Sequence, residues 1–226
     1  MKIHGATALV TGANRGLGQV MARMLLQHGA RRVYGGARDP RTVVEPGVVP
    51  VRLDVTDPAQ VAAAATTCSD VTLLINNAGV LTNSALLGAP DMAAARTEMD
   101  VNYFGTLAVC RAFAPLLVGN APGALVNVLS IASWFTNPAM GSYSASKAAA
   151  WALTNGIREE LHDTGVLVVG MHCGYIDTDM AAHVTGPKNT PEAIARQTFD
   201  AVEAGRTEVL ADERTRQTRA ALGLTG

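Results

Sequence analysis

Residues 6–18 read ATALVTGANRGLG: a strand-like run from Ala6 to Val10, the turn Thr11-Gly12-Ala13-Asn14-Arg15-Gly16-Leu17-Gly18, and then a helical stretch. Glycines there permit a tight turn and close backbone approach, so that main-chain amides and a helix N-terminus can hold a pyrophosphate. A glycine cluster alone is often just a turn. Set directly between a first strand and a first helix, it is a phosphate-binding signal. The spacing, glycine then three residues then GxG, departs from the GxGxxG of most dinucleotide folds.

Outward from this loop, short apolar runs alternate with longer helical stretches. Strands are expected near residues 6–11, 32–37, 48–53, 71–76, 123–129, 166–172 and 207–211. Helices are expected near 16–28, 57–67, 91–118, 143–162 and 190–204. That alternation predicts an α/β fold, a doubly wound parallel sheet of about seven strands with helices on both faces. Asp57-Pro58 and Thr190-Pro191 each set a capping residue before a first-turn proline. The tail, 212–226, reads as a short polar helix that frays.

The 226 residues, 48% hydrophobic and 16% charged, form one domain over 1–226, with no linker to divide it. A net charge of −1 gives no electrostatic footprint for nucleic acid or an anionic membrane. Cys68, Cys110 and Cys173 are isolated, and His4, His28, His162, His172 and His183 lack ligand spacing, so neither a disulfide framework nor a metal site is indicated. The chain opens directly into strand-like sequence and no apolar run is expected to reach spanning length, so a soluble cytoplasmic protein is expected.

The second strand ends Gly35-Gly36-Ala37-Arg38, about twenty residues beyond the loop, where an acidic residue would accept the ribose hydroxyls of NAD. Arg38 stands there instead, and Arg15 sits in the glycine loop. Guanidinium groups suit a 2′-phosphate through bidentate bonds, which favours NADP over NAD. Asp39 keeps NAD open, should the strand end one residue later.

Tyr143 precedes Lys147 by four residues in YSASK, on a stretch where Ala150, Leu153, Ile157 and Leu161 recur at helical spacing. Both side chains then lie on one side of a helix, one turn apart, at the border of its apolar arc. A phenol moves protons sluggishly near neutral pH, and a fixed ammonium nearby draws its pKa down. With three Lys against fifteen Arg, this chain rarely uses lysine for ordinary surface charge.

TGANRGLG, Leu53-Asp54-Val55, Asn76-Asn77-Ala78-Gly79, Asn102, Ser130 and YSASK together resemble the short-chain dehydrogenase/reductase family, from Thr7 to about Leu210. The segments Gly36–Asp39 and Asn14–Gly16 are similar to those of its NADP-dependent carbonyl reductases. The resemblance implies a single-domain Rossmann fold and hydride transfer between NADP(H) and a carbonyl or alcohol. It implies Tyr143 as general acid/base, Ser130 as the hydrogen-bond partner of the reacting oxygen, Lys147 on the nicotinamide ribose, and Asn102 supporting a proton-conducting water. Cofactor contacts are implied for Gly12, Asn14, Arg15, Gly16, Leu17, Gly18 and Arg38, for Asp54 and Val55 at the adenine, for Asn77, Ala78 and Gly79, and for Ile176 and Thr178. The alternatives are an NAD-dependent alcohol dehydrogenase and a non-catalytic dinucleotide sensor, since fold does not fix function.

Departures from the family pattern carry expectations too. Cys173-Gly174 replaces the usual Pro-Gly, which should loosen that turn and bring a thiol near the cofactor. Trp134, Phe135, Met140, Tyr175, Met180 and Val184 are candidates for the substrate pocket. No arginine is clearly placed to demand a carboxylate, which favours a neutral, apolar aldehyde, ketone or secondary alcohol. Finally, Val101–Val118 and Tyr143–Leu153 are apolar nearly all round. Ala145, Ala148, Trp151 and Ala152 fall outside the core arc, so a subunit interface, in a homodimer or homotetramer, is expected along these helices.

Overall fold

Seven runs rich in small and branched apolar residues become strands: β1 (Thr7–Thr11), β2 (Arg32–Ala37), β3 (Val48–Arg52), β4 (Leu73–Asn76), β5 (Gly123–Val128), β6 (Val166–His172) and β7 (Glu208–Leu210). They form one sheet, parallel throughout, in the order β3-β2-β1-β4-β5-β6-β7. The computed structural model describes residues 1–223; the last three residues of the expected tail lie outside them. The order reverses between β1 and β4, and a crevice opens at such a switch point, beyond the carboxyl ends of the strands.

Helices α1 (Gly16–Gln27) and α6 (Pro191–Glu203) pack Met21, Leu25, Ile194 and Phe199 against one face of the sheet. Helices α2 (Pro58–Thr67), α4 (Thr106–Gly119) and α5 (Gly141–Glu160) pack Val61, Phe113, Leu117 and Ile157 against the other. The sheet is therefore covered on both sides, as its near-continuous apolar strands require. Asp57 caps α2 through the amides of Ala59 and Gln60, and Thr190 caps α6 through that of Ala193.

The helix expected over 91–118 is built in three pieces. α3 (Ala93–Met99) runs into a π-helical turn, Asp100–Gly105, and then into α4. Stacked end to end they make one helix, Ala93–Gly119, of 27 residues, with an 18-residue window of mean hydropathy 1.4, long and apolar enough to cross a membrane by length and composition. This corrects the expectation that no segment reaches that length. Here Val109, Phe113 and Leu117 lie in the core beneath the sheet, and Glu98 and Asn102 are buried with them.

Two segments for which the sequence suggests loose structure, the turn after β6 and the tail, are joined by a single residue, Asp212. It caps α7 (Glu213–Ala221) by accepting from the amide and hydroxyl of Thr215, both at 2.9 Å. Its other oxygen accepts from the amide of Gly174 at 2.7 Å and from Asn189 Nδ2 at 3.0 Å. The turn after β6 is thus tied down by hydrogen bonds where a proline would have stiffened it. The start of α7 is held as well: Thr215 is fully buried, and the Arg219 guanidinium lies 5.5 Å from the centroid of the Trp134 ring.

Candidate active site

A cavity of about 1270 Å³ runs along the carboxyl ends of the strands. Of the catalytic and cofactor-binding residues expected from the sequence, all line it except Gly18 and Asn102. Gly12, Asn14, Arg15, Gly16 and Leu17 form one end, with Arg38, Asp54 and Val55 beside them; Asn77, Ala78 and Gly79 line the middle; Ser130, Tyr143, Lys147, Ile176 and Thr178 complete the wall.

The glycine loop is shaped by close approach. Gly12 has φ +66°, a left-handed conformation, and a Cβ on Gly18 would stand 2.2 Å from the carbonyl oxygen of Gly12. Gly18 therefore works from beneath, letting α1 press against the turn, and does not face the cavity. Unlike α2, α6 and α7, helix α1 has no side chain capping its first turn, so its leading amides remain open to an anion. This orphaned N-terminus beside a glycine turn fits the pyrophosphate of a dinucleotide.

β2 ends at Ala37, so Arg38 is the first residue beyond the strand and its side chain is exposed at the cavity edge. Asp39 also lines the cavity, but Arg41 holds its carboxylate through three contacts of 2.8–3.2 Å. Hydrogen bonds from the Arg41 side chain and then its backbone keep the Asp39 carboxyl below its ordinary value. That acid is already occupied, which weakens its claim on a ribose.

Ser130 follows β5 and opens a 3-10 turn, Ile131–Ser133, its Oγ accepting from the amide of Ala132 at 3.1 Å. Its carbonyl accepts a hydrogen bond from Nδ1 of His172 at 3.2 Å, which puts the proton of that imidazole on Nδ1. His172 is buried against Trp134, the rings stacked 4.0 Å apart, and burial pushes its pKa down to about 3. It is a neutral strut beneath the serine.

Tyr143 and Lys147 share one side of α5, with the lysine Nζ 5.8 Å from the centre of the phenol ring. Burial raises the Tyr143 pKa, a hydrogen bond with Ser130 opposes it, and the nearby Cys173 and Glu98 add to the rise. The expectation that lysine draws the phenol pKa down is not what dominates: desolvation keeps Tyr143 protonated. Lys147 is itself buried, donating to the carbonyl of Val128 at 3.0 Å. Cys173 lines the cavity as anticipated, but burial pushes its thiol up to about 12, so it is no nucleophile near neutral pH.

Asn102 does not line the cavity. It is buried in the π-helical turn. Its Oδ1 accepts from the amide of Val80, and its Nδ2 donates to the carbonyl of Val80 and to Ser146 Oγ, all at 2.9 Å. The side-chain amide is spent on protein partners and fastens the loop after β4 to α5.

One turn earlier, Glu98 does the same work, and sequence reasoning missed it. This fully buried carboxylate accepts from the amide and hydroxyl of Thr82 at 2.7 and 2.8 Å and from Ser142 Oγ at 2.5 Å. Glu98 and Asn102 grip Ser142 and Ser146, the residues just before Tyr143 and just before Lys147. The local sign in the sequence is slight: each pair sits at i, i+4 on its helix.

At the substrate end, Phe135, Met140, Tyr175 and Met180 line the cavity, whereas Trp134 and Val184 do not. Trp134 is taken up by His172 on one face and Arg219 nearby. An arginine does reach the cleft, contrary to the sequence-based expectation: Arg214 of α7 lines it, its guanidinium 5.6 Å from the centroid of Phe135.

The family model described as short chain dehydrogenase matches residues 6–189. The short chain dehydrogenase tazN of Aspergillus terreus is 35% identical over 208 residues, which cover 84% of this chain but only 45% of that protein. The 1-deoxy-11-beta-hydroxypentalenate dehydrogenase of Streptomyces avermitilis is 34% identical over 221 residues, covering 90% of this chain and 80% of the relative. Among solved structures, a short chain dehydrogenase from Burkholderia cenocepacia J2315 in complex with NADP superposes with a TM-score of 0.95 at 45% identity, covering 99% of this chain and 94% of its own.

Burial lowers the Lys147 pKa from the ordinary 10.5 to about 8, so below pH 8 the folded chain holds an ammonium at a cost. A shift of that size corresponds to at most about 3 kcal/mol. Lys147→Met is therefore expected to raise the unfolding free energy at pH 7 by up to about 3 kcal/mol. Between about pH 8 and 10.5 the unfolded chain binds the proton that the folded one has released, so wild-type stability rises with pH and the mutant's advantage fades. Urea unfolding of both proteins at pH 7 and pH 10 measures this; a Met variant less stable than wild type at pH 7 would refute it.

Proposed function

The chain belongs to the short-chain dehydrogenase family, and we propose that it is an NADP(H)-dependent oxidoreductase interconverting a carbonyl, aldehyde or ketone, and the corresponding alcohol. The observation that carries this reading is the convergence of Ser130, Tyr143 and Lys147 on the wall of the same cavity that the glycine loop enters.

The bound nicotinamide supplies the hydride in reduction and accepts it in oxidation. In reduction Tyr143 donates its phenolic proton to the carbonyl oxygen; in oxidation its phenolate takes the alcohol proton. A phenol kept protonated by burial is an acid ready for the reductive direction. Ser130 hydrogen-bonds the reacting oxygen and, through the bond its hydroxyl makes with Tyr143, offsets part of the cost of forming a phenolate. Lys147 would hold the nicotinamide ribose, and a pKa of about 8 lets it release and regain a proton near neutral pH. Asn102 acts as a scaffold for the helix that carries the pair, consistent with its saturated side chain.

NADP is favoured because Arg15 and Arg38 both face the cavity at the end where a 2′-phosphate would lie. The NADP complex of the Burkholderia cenocepacia relative supports the same choice. An NAD-dependent enzyme is the second reading, because Asp39 lies at the same edge.

A homo-oligomer, two-fold along α4 and α5, is part of this proposal. Phe104 and Val118 are 55% and 39% exposed, and Ala145 and Ala152 are exposed on α5, where a solvated helix would show polar residues. Static light scattering should return a multiple of the monomer mass, and a monomer at micromolar concentration would remove this part.

Tyr143→Phe should lower turnover by at least roughly a thousandfold while leaving NADPH affinity within about twofold; wild-type-like activity would sink the mechanism. The substitution Arg38→Asp should shift the preference for NADPH over NADH, measured as the ratio of their specificity constants, by about tenfold or more toward NADH. An unchanged ratio would count against the placement of the 2′-phosphate.

A further inference from the structure

We propose that the substrate carries an anionic group, a carboxylate, and that the guanidinium of Arg214 binds it at the outer end of the cleft. This rests on the oxidoreductase reading above and adds to it the class of carbonyl compound.

Helix α7 carries three arginines toward the fold, and they are used differently. Arg216 donates to Glu213 at 3.0 Å and to the carbonyl of Leu210 at 3.1 Å, and Arg219 pairs with Glu208 at 3.4 Å. Arg214 has no carboxylate or carbonyl partner among the described residues; its contact is with the ring of Phe135. A cation–π contact at this distance leaves the guanidinium N–H donors without an acceptor among the described residues. Those donors sit on a cavity-lining side chain, beside the cavity-lining Phe135 that follows Ser130 by five residues.

The position of Arg214 is fixed by the fold, not by chance on a loose tail. Asp212, two residues before it, anchors the start of α7 to Gly174 and Asn189, and Thr215, one residue after it, is fully buried. The remaining cations of the cavity belong elsewhere: Arg15 and Arg38 stand with the glycine loop, and Lys147 beside Tyr143. Among the acids, Asp179 lines the cavity near Met180 and disfavours a ligand with several negative charges. One guanidinium fork matches one carboxylate, which it can hold bidentately. The neighbouring Phe135, Met140 and Tyr175 then accommodate an apolar or aromatic body between the reacting carbonyl and the carboxylate.

The rival is that Arg214 merely covers Phe135. Two measurements on the full chain separate them. In the first, enzyme saturated with NADPH is titrated with benzoate and with the neutral benzamide, following cofactor fluorescence. Wild type should bind benzoate at least about tenfold more tightly than benzamide, Arg214→Gln should erase that preference, and Arg214→Lys should keep part of it. In the second, the specificity constant for para-carboxybenzaldehyde is divided by that for its neutral methyl ester. The ratio should fall by about tenfold or more in Arg214→Gln, with the change carried by KM. A benzoate preference that is absent from wild type, or a ratio untouched by Arg214→Gln, overturns the inference. Absence of NADPH oxidation with every aldehyde bears instead on the oxidoreductase reading, and the benzoate titration still decides the role of Arg214.

Discussion

Lys147 carries a charge that water would solvate better than the protein does, and it must nevertheless be held inside, beside a phenol, at the carboxyl end of a parallel sheet. Much of α5 follows from that requirement. Between Gly141 and Thr154 its polar residues point inward: Ser142, Ser144, Ser146, Lys147 and Thr154 are buried, while Ala145 and Ala152 are exposed. The polar side is then secured to neighbouring elements. Ser142 bonds Glu98, Ser146 bonds Asn102, Lys147 bonds the end of β5, and Thr154 accepts from Asn127, which in turn accepts from Asn76 on β4. A helix held this way cannot slide or rotate without breaking several buried hydrogen bonds, each costly to leave unmade.

The carboxyl end of the sheet shows a second case of one constraint organising several elements. Where Cys173 stands in place of the family's proline, backbone stiffness has to come from elsewhere. Asp212 provides it, binding the amide of Gly174 and capping α7 with the same side chain. Burial would raise the pKa of this carboxyl, but its hydrogen bonds to Gly174, Thr215 and Asn189 bring it below the ordinary value. The exchange links the C-terminal helix to the active-site cleft: α7 braces the serine loop through Arg219 on Trp134 and reaches the cavity through Arg214.

How much of this was legible in the sequence depended on the range of the interaction. All seven strands fall within two residues of their expected ends, because alternation of apolar runs with helices is a local pattern. The glycine loop, Arg38, Ser130, Tyr143 and Lys147 were legible for the same reason: each is a residue type at a fixed offset from a strand end or within one helix turn. Glu98 was not, since its partners Thr82 and Ser142 are 16 and 44 residues away. Neither were Arg214 and Asp212, because only the packing of α7 against β7 and the bond of Asp212 to the turn after β6 bring a polar C-terminal segment back to the cleft. Asn102 is legible as a site residue but not in its facing, since a π-helical turn shifts the direction of every side chain after it. The phenol pKa is not legible at all from a lysine four residues on, because desolvation is a property of the whole enclosure.

The missing polar stripe on α5 reads in the sequence as the mark of a partner subunit, and the structure gives that absence a second cause. Polar residues turned inward to hold the catalytic pair leave Ala145 and Ala152 as the exposed residues between Tyr143 and Leu153. An outward apolar face is therefore a by-product of the site's own architecture, before any partner is invoked. Exposed apolar surface of this kind is a liability for a lone monomer, and a two-fold contact removes it by pairing the patch with itself. Catalysis and assembly would then rest on one distribution of side chains around one helix. Restoring a polar stripe outside would leave Tyr143 and Lys147 in place, whereas moving polarity from inside to outside would cost both.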